Sequence, residues 1–217
     1  VRAKPEFLVD GPVDAPRRIA LAHGAGVGMD SPFMEFFAKR LGERGVRVVR
    51  FEFPYMAEYR RTRRKKPPDR EPVLRDSWLK VVAALGAPGL VIGGKSMGGR
   101  IASLVADETQ VTGLVCLGYP FHPVGKSERL RVEHLGAIKT PTLIVQGERD
   151  PFGDREEVSK CTLSSAIRIV WLQDGDHSFK PRKSSGRTEE QNWQAAIDAI
   201  VTFVASLTAR RKASRRT

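Results

Sequence analysis

Six short runs rich in Val, Ile and Leu recur along the chain, at residues 18–23, 46–53, 89–94, 112–117, 141–146 and 167–172. Most place their apolar residues on consecutive positions, as strands covered on both faces do. Helical spacing fills the gaps between them. Residues 32–44 set Phe33, Phe36, Phe37 and Leu41 three and four apart, with Pro32 in the first turn and Gly45 just past the end. Residues 73–85 carry Leu74, Trp78, Val81, Val82 and Leu85 on one stripe, closed by Gly86 and Pro88. Residues 154–162 open with the capping-box pair Asp154 and Glu157. Residues 189–208 follow Thr188 and repeat Trp193, Ile197, Ile200, Val201, Val204 and Leu207. Strand–helix alternation of this kind predicts an α/β fold: a mainly parallel central sheet with helices on both faces, joined by right-handed crossovers.

The 217 residues fit a single domain. The reading assigns residues 1–208 to it and residues 209–217 to a basic, disordered tail with no apolar anchor. No apolar run approaches the ~18–20 residues of a membrane helix. The first twelve residues, VRAKPEFLVDGP, contain no secretory core, and two cysteines make no disulfide framework. These features point to a cytoplasmic protein. The net charge of +12 is concentrated: residues 60–66 carry six cations and residues 210–217 five, and the remaining 26 basic residues face 25 acidic ones. A nucleic-acid binder more often spreads its basic charge over a face of the fold, so nucleic acid is not the expected partner. Residues 54–72 read as a long, Pro-rich basic loop.

The chemistry gathers around Gly94-Lys95-Ser96-Met97-Gly98, which follows one apolar run and opens a helical stretch with Ile101, Leu104 and Val105. A G-x-S-x-G on a strand-to-helix turn exposes its serine and backs it with the free N–H groups of a helix start. Serine needs a base to act as a nucleophile. His177, in Asp174-Gly175-Asp176-His177, lies just after the last apolar run, on the same sheet edge as Ser96; His122 and His134 read as surface positions. Asp150, after the run at 141–146, is the carboxylate that would orient the imidazole; Glu148 sits too early in its turn and Asp154 reads as a helix cap. His23-Gly24-Ala25-Gly26 follows the first run, and the backbone N–H groups of Ala25 and Met97 are the candidate oxyanion donors. Cys116 reads as core and Cys161 as a helix end.

These segments, HGAGVGMDSPFM (23–34), RFEFPYM (50–56), GGKSMGGR (93–100), GERDPFG (147–153) and DGDHSF (174–179), resemble the α/β-hydrolase superfamily. The likeness is to its cap-less, dienelactone-hydrolase-like group, and within that to bacterial relatives of a hydrolase-like subunit of an animal histone-acetyltransferase complex. It covers about residues 15–208. It implies Ser96 as nucleophile, Asp150 as acid and His177 as base, with Ser96 standing where dienelactone hydrolases carry cysteine.

Only about 24 residues separate the runs ending at Leu117 and starting near Pro141, which leaves no room for a large cap domain. Tyr55, Met56, Tyr119, Phe121, Phe152 and Phe179 follow predicted strand ends and are the expected lining of an apolar substrate pocket. The expected activity is that of a serine hydrolase cleaving a carboxylic ester or thioester. The small-molecule substrate is anionic if the 60–66 run meets it. No cofactor is implied, and no His/Cys cluster has metal-ligand spacing. The alternative is a non-catalytic protein-interaction module that keeps the hydrolase fold.

Overall fold

The computed structural model describes the backbone of residues 6–214 and the side chains of residues 6–207. Seven strands form one sheet: β1 (Phe7–Asp10), β2 (Arg18–Ala22), β3 (Arg47–Phe51), β4 (Leu90–Lys95), β5 (Gly113–Leu117), β6 (Thr142–Gly147) and β7 (Ile167–Leu172). Their order is β1-β3-β2-β4-β5-β6-β7. Every pairing is parallel except that of β1, which runs antiparallel to β3. All six predicted runs are strands. β1 is the addition: four residues at the sheet edge, with Leu8 and Val9 exposed, too short and too open to carry a two-face apolar pattern.

Among the described residues five helices lie in the connections between strands, α1 (Pro32–Glu43), α2 (Pro54–Thr62), α3 (Glu71–Leu85), α4 (Met97–Thr109) and α5 (Arg155–Ser159), and α6 (Glu189–Ser214) follows the last strand. Alternate strand residues divide between two cores. Ile19, Leu21, Val115, Leu117, Leu143 and Val145 pack with α1 and α6. Ala20, Ala22, Ile92, Leu114, Cys116 and Ile144 pack with α3 and α4, where Trp78 is the largest buried side chain. Asp154 caps α5 in a full capping box with Glu157. Thr188 and Gln191 exchange the equivalent bonds at the start of α6.

Two expectations change. Residues 54–72 are not one loop: α2 occupies Pro54–Thr62, with Pro54 at its first position, and α3 starts at Glu71. A proline at the first turn starts a helix without losing a backbone bond, because that N–H has no intrahelical partner. The last helix continues past residue 208 to Ser214; the expected tail of 209–217 has its side chains, and its last three residues entirely, outside the described residues. Between β5 and β6 the regular structure is a single turn of 3-10 helix, Glu133–Gly136, so no large cap covers the sheet.

The chain leaves β2 towards β3 on one side and returns to β4 on the other. The C-terminal ends of β2 and β4 therefore flank a topological switch point, where ligand sites of α/β sheets form.

Candidate active site

Ser96 sits between β4 and α4 with φ 51° and ψ −117°, a backbone region that L-residues rarely adopt. The turn is held on both sides. The Ser96 N–H donates to the Leu117 carbonyl (2.9 Å), and the Arg100 N–H donates to the Ser96 carbonyl (3.0 Å). Gly98 lets α4 start against β2: a Cβ there would stand 2.5 Å from the Ala22 carbonyl oxygen and 2.6 Å from that of His23.

The structure brings the three sequence-predicted residues together. His177 Nε2 lies 2.9 Å from Ser96 Oγ, and His177 Nδ1 lies 2.8 Å from Asp150 Oδ2. Asp150 is fully buried, and its other oxygen accepts from the Phe152 N–H (2.9 Å). Asp150 accepts from Nδ1, so Nδ1 carries the proton and Nε2 faces the hydroxyl as an acceptor. Burial holds the His177 pKa below its ordinary value; the Asp150 hydrogen bond opposes this and the nearby Lys95 charge adds to it.

Three contributors were not legible in the sequence. Gln146, buried in β6, donates to Asp150 Oδ2 (2.9 Å) while its carbonyl accepts from the Tyr119 N–H (2.7 Å), tying the Asp150 turn to the exit of β5. Asn192 of α6 donates to the Phe179 carbonyl (2.8 Å) and the Gln173 carbonyl (3.0 Å), fastening the His177 loop. His23 is fully buried; its Nε2 accepts from the Phe53 N–H (3.1 Å), so Nδ1 is the protonated nitrogen and donates to the Gly24 carbonyl (2.8 Å). Burial lowers its pKa, and it serves as a neutral post for the Gly24–Gly26 loop. The N–H groups of Ala25 and Met97 have no acceptor among the described residues.

The expected aromatic pocket changes most. Tyr119 and Phe179 are 0% exposed, and Tyr55 and Phe121 are 1% exposed, so none offers surface to a substrate in this conformation. Tyr119 donates to the Arg131 carbonyl (2.8 Å), Phe121 packs beneath Gly153, and Phe179 belongs to the core on the α1–α6 side. The Tyr55 hydroxyl accepts from the Gly26 N–H (3.3 Å) and so braces the glycine loop. Met56 is buried in the opposite core. Phe152 alone of the six is partly exposed, with its ring centroid 4.4 Å from that of His177. Following a strand end fixes the height of a side chain in the fold but not whether it points outward.

The other histidines have structural partners. His122 is buried, not on the surface: its nitrogens face the Pro123 carbonyl (2.9 Å) and Glu157 Oε2 (3.0 Å). Burial opposes its charge, but these two acceptors hold its pKa above the ordinary value. His134 Nε2 is 2.8 Å from Ser103 Oγ. In the basic run, Arg60 is bound to Glu52 (2.7 Å) and Asp30 (2.8 Å), and Lys66 to Glu58, while Arg61, Arg63, Arg64 and Lys65 are exposed with no ion pair among the described residues. Among the described residues no group of three His, Cys, Asp or Glu side chains could hold a metal ion.

A mainly parallel sheet without a lid, carrying a hydrogen-bonded Ser–His–Asp set at its C-terminal edge, has the build of a hydrolase. The chain belongs to the α/β-hydrolase family: the family's alpha/beta hydrolase domain matches residues 15–205. Among solved structures it is similar to dienelactone hydrolase from Anabaena variabilis, with 20% identity, TM-score 0.72, and 94% of this chain and 93% of that one covered. It is also similar to Est1E from Butyrivibrio proteoclasticus with bound ferulic acid, with 15% identity, TM-score 0.69, and 93% and 96% covered. In sequence it is 33% identical over 117 residues to the Rattus norvegicus protein named "Putative protein-lysine deacylase ABHD14B". That match spans 52% of this chain and 52% of the rat protein.

His23→Leu removes the acceptor for a buried N–H and the donor to a buried carbonyl. Each unpaired group costs about 1–3 kcal/mol. The expected result is a lower urea midpoint at unchanged slope, read by circular dichroism.

Proposed function

We propose that the chain is a serine hydrolase that cleaves a carboxylic ester or thioester through an acyl-enzyme on Ser96. The observation that carries this reading is the hydrogen-bonded series from Ser96 Oγ through the His177 ring to a fully buried Asp150. Ser96 Oγ attacks the acyl carbon while His177 Nε2 takes its proton. Asp150 accepts from Nδ1–H and stabilises the imidazolium that results. The Ala25 and Met97 N–H groups receive the oxyanion, and one such donor is typically worth ~10²–10³ in turnover. Collapse expels the alcohol or thiol, which leaves with the proton from Nε2. Water then attacks the acyl group with His177 again as base, and Ser96 recovers its proton.

The uncovered rim and the partly exposed Phe152 suit acyl groups of varied size. A negative charge on the substrate would be drawn by Arg61, Arg63, Arg64 and Lys65. The name of the rat relative adds an acylated lysine amide to the substrates worth assaying. Both cysteines are free thiols, in keeping with a cytoplasmic setting. No helix among the described residues is long and apolar enough to cross a membrane.

Ser96→Ala should abolish labelling by a fluorophosphonate and lower hydrolysis of nitrophenyl esters or acyl thioesters by on the order of 10⁴-fold or more. An unlabelled parent protein would instead support a non-catalytic interaction module. His177 must be neutral to accept the serine proton, and its pKa lies below the ordinary 6.5. Activity should therefore rise with pH through a midpoint below 6.5, measured as kcat/KM against pH. Neutralising Arg61, Arg63, Arg64 and Lys65 together should raise KM for anionic esters and spare neutral ones; equal effects on both would discard the charge attraction.

A further inference from the structure

Lys95, the residue before the serine, is neither exposed nor paired with an acid. It is 7% exposed, and no carboxylate stands at ion-pairing distance among the described residues. Its Nζ donates to the backbone carbonyl of His177. The ammonium otherwise lies over aromatic faces, 5.4 Å from the ring centroid of Phe33 in α1 and 5.7 Å from that of Phe179 in the His177 loop. Gly118, at the exit of β5, leaves the space: a Cβ there would stand 2.8 Å from Lys95 Nζ, 3.0 Å from the His177 carbonyl oxygen and 3.3 Å from His177 Cε1. The ammonium, the carbonyl and the imidazole thus converge on the space that a side chain at position 118 would fill.

Burying a cation without a bonded counter-charge is expensive, and an apolar side chain of similar shape would serve packing better. Cation–π contacts and one charge-assisted hydrogen bond recover part of that cost. The remainder calls for a role beyond stability. We propose that Lys95 is a positioning residue: it pins the backbone of His177, so that the imidazole stands in register with Ser96. Its nearby charge also disfavours protonation of that ring. The proposal rests on the hydrolase reading of Ser96 and His177. The acidic groups whose charge acts on Lys95 are Asp150 and Asp176, both of which draw the lysine towards its protonated form. Burial outweighs them and brings the Lys95 pKa down to about 8.

The test is Lys95→Met, which keeps the length of the stem and removes donor and charge. The expected Tm is equal to or above that of the parent. Turnover of a nitrophenyl ester should fall by on the order of 10²-fold with KM changed less than about threefold, the mark of a misplaced base. The His177 midpoint, followed by NMR at the Cε1 carbon, should move up. A lower Tm with an unmoved His177 midpoint overturns the proposal and leaves Lys95 a packing residue. Should the variant not fold, the parent protein decides: loss of the Lys95 proton above the His177 midpoint should add a second inflection to the His177 Cε1 resonance, and absence of any such inflection overturns the proposal. Hydrolysis that survives Ser96→Ala would instead overturn the reading of the site. The resonance measurements need no turnover, so the two failures are separable.

Discussion

Parallel pairing is the constraint on which everything else rests. From β3 across to β7 the strands point the same way, so every exit loop opens on one rim. Ser96 leaves β4, the Asp150 turn leaves β6 and the His177 loop leaves β7, and the sheet delivers all three to the rim where they meet within hydrogen-bond reach. The hydrogen bonds between them are the consequence of that convergence. The backbone strain at Ser96 is affordable because β4 is covered on both sides by β2 and β5 and on its faces by helices.

Around the rim, polar side chains from several elements act as fasteners. Gln146 joins the exits of β5 and β6, Asn192 joins α6 to the His177 loop, and His23 joins the glycine loop to the start of α2. Arg60 belongs to the same scheme. It clamps Glu52 and Asp30, and the Glu52 carboxylate accepts from the Met29 N–H (3.3 Å), so one of the cations in the basic run steadies the far end of the glycine loop. Charge that looks free along the chain can thus be spent locally once it folds.

The sequence carries the fold where burial has a simple period. Consecutive apolar residues in β2 to β7 and the stripes of α1, α3 and α6 are direct imprints of two-sided and one-sided burial. Where the imprint is weak the reading fails: β1 is four half-exposed residues, and α2 is a nine-residue helix set among prolines and cations that read as a loop. The positions of Ser96, Asp150 and His177 were legible because motif and strand ends coincide. Lys95, Gln146 and Asn192 were not, since nothing in their local sequence shows which distant carbonyl or carboxylate they meet. The aromatic residues were misjudged for a related reason: Tyr119 and Phe179 turn into the two cores, a choice made by neighbours far along the chain.

The connection from β5 to β6 holds one turn of 3-10 helix and nothing large enough to fold over the serine. A site without a moving cover cannot expel solvent by closing, so any polarisation of a bound carbonyl must come from donors already in place before arrival. On the proposed route the leaving group then departs without a large cap having to reopen.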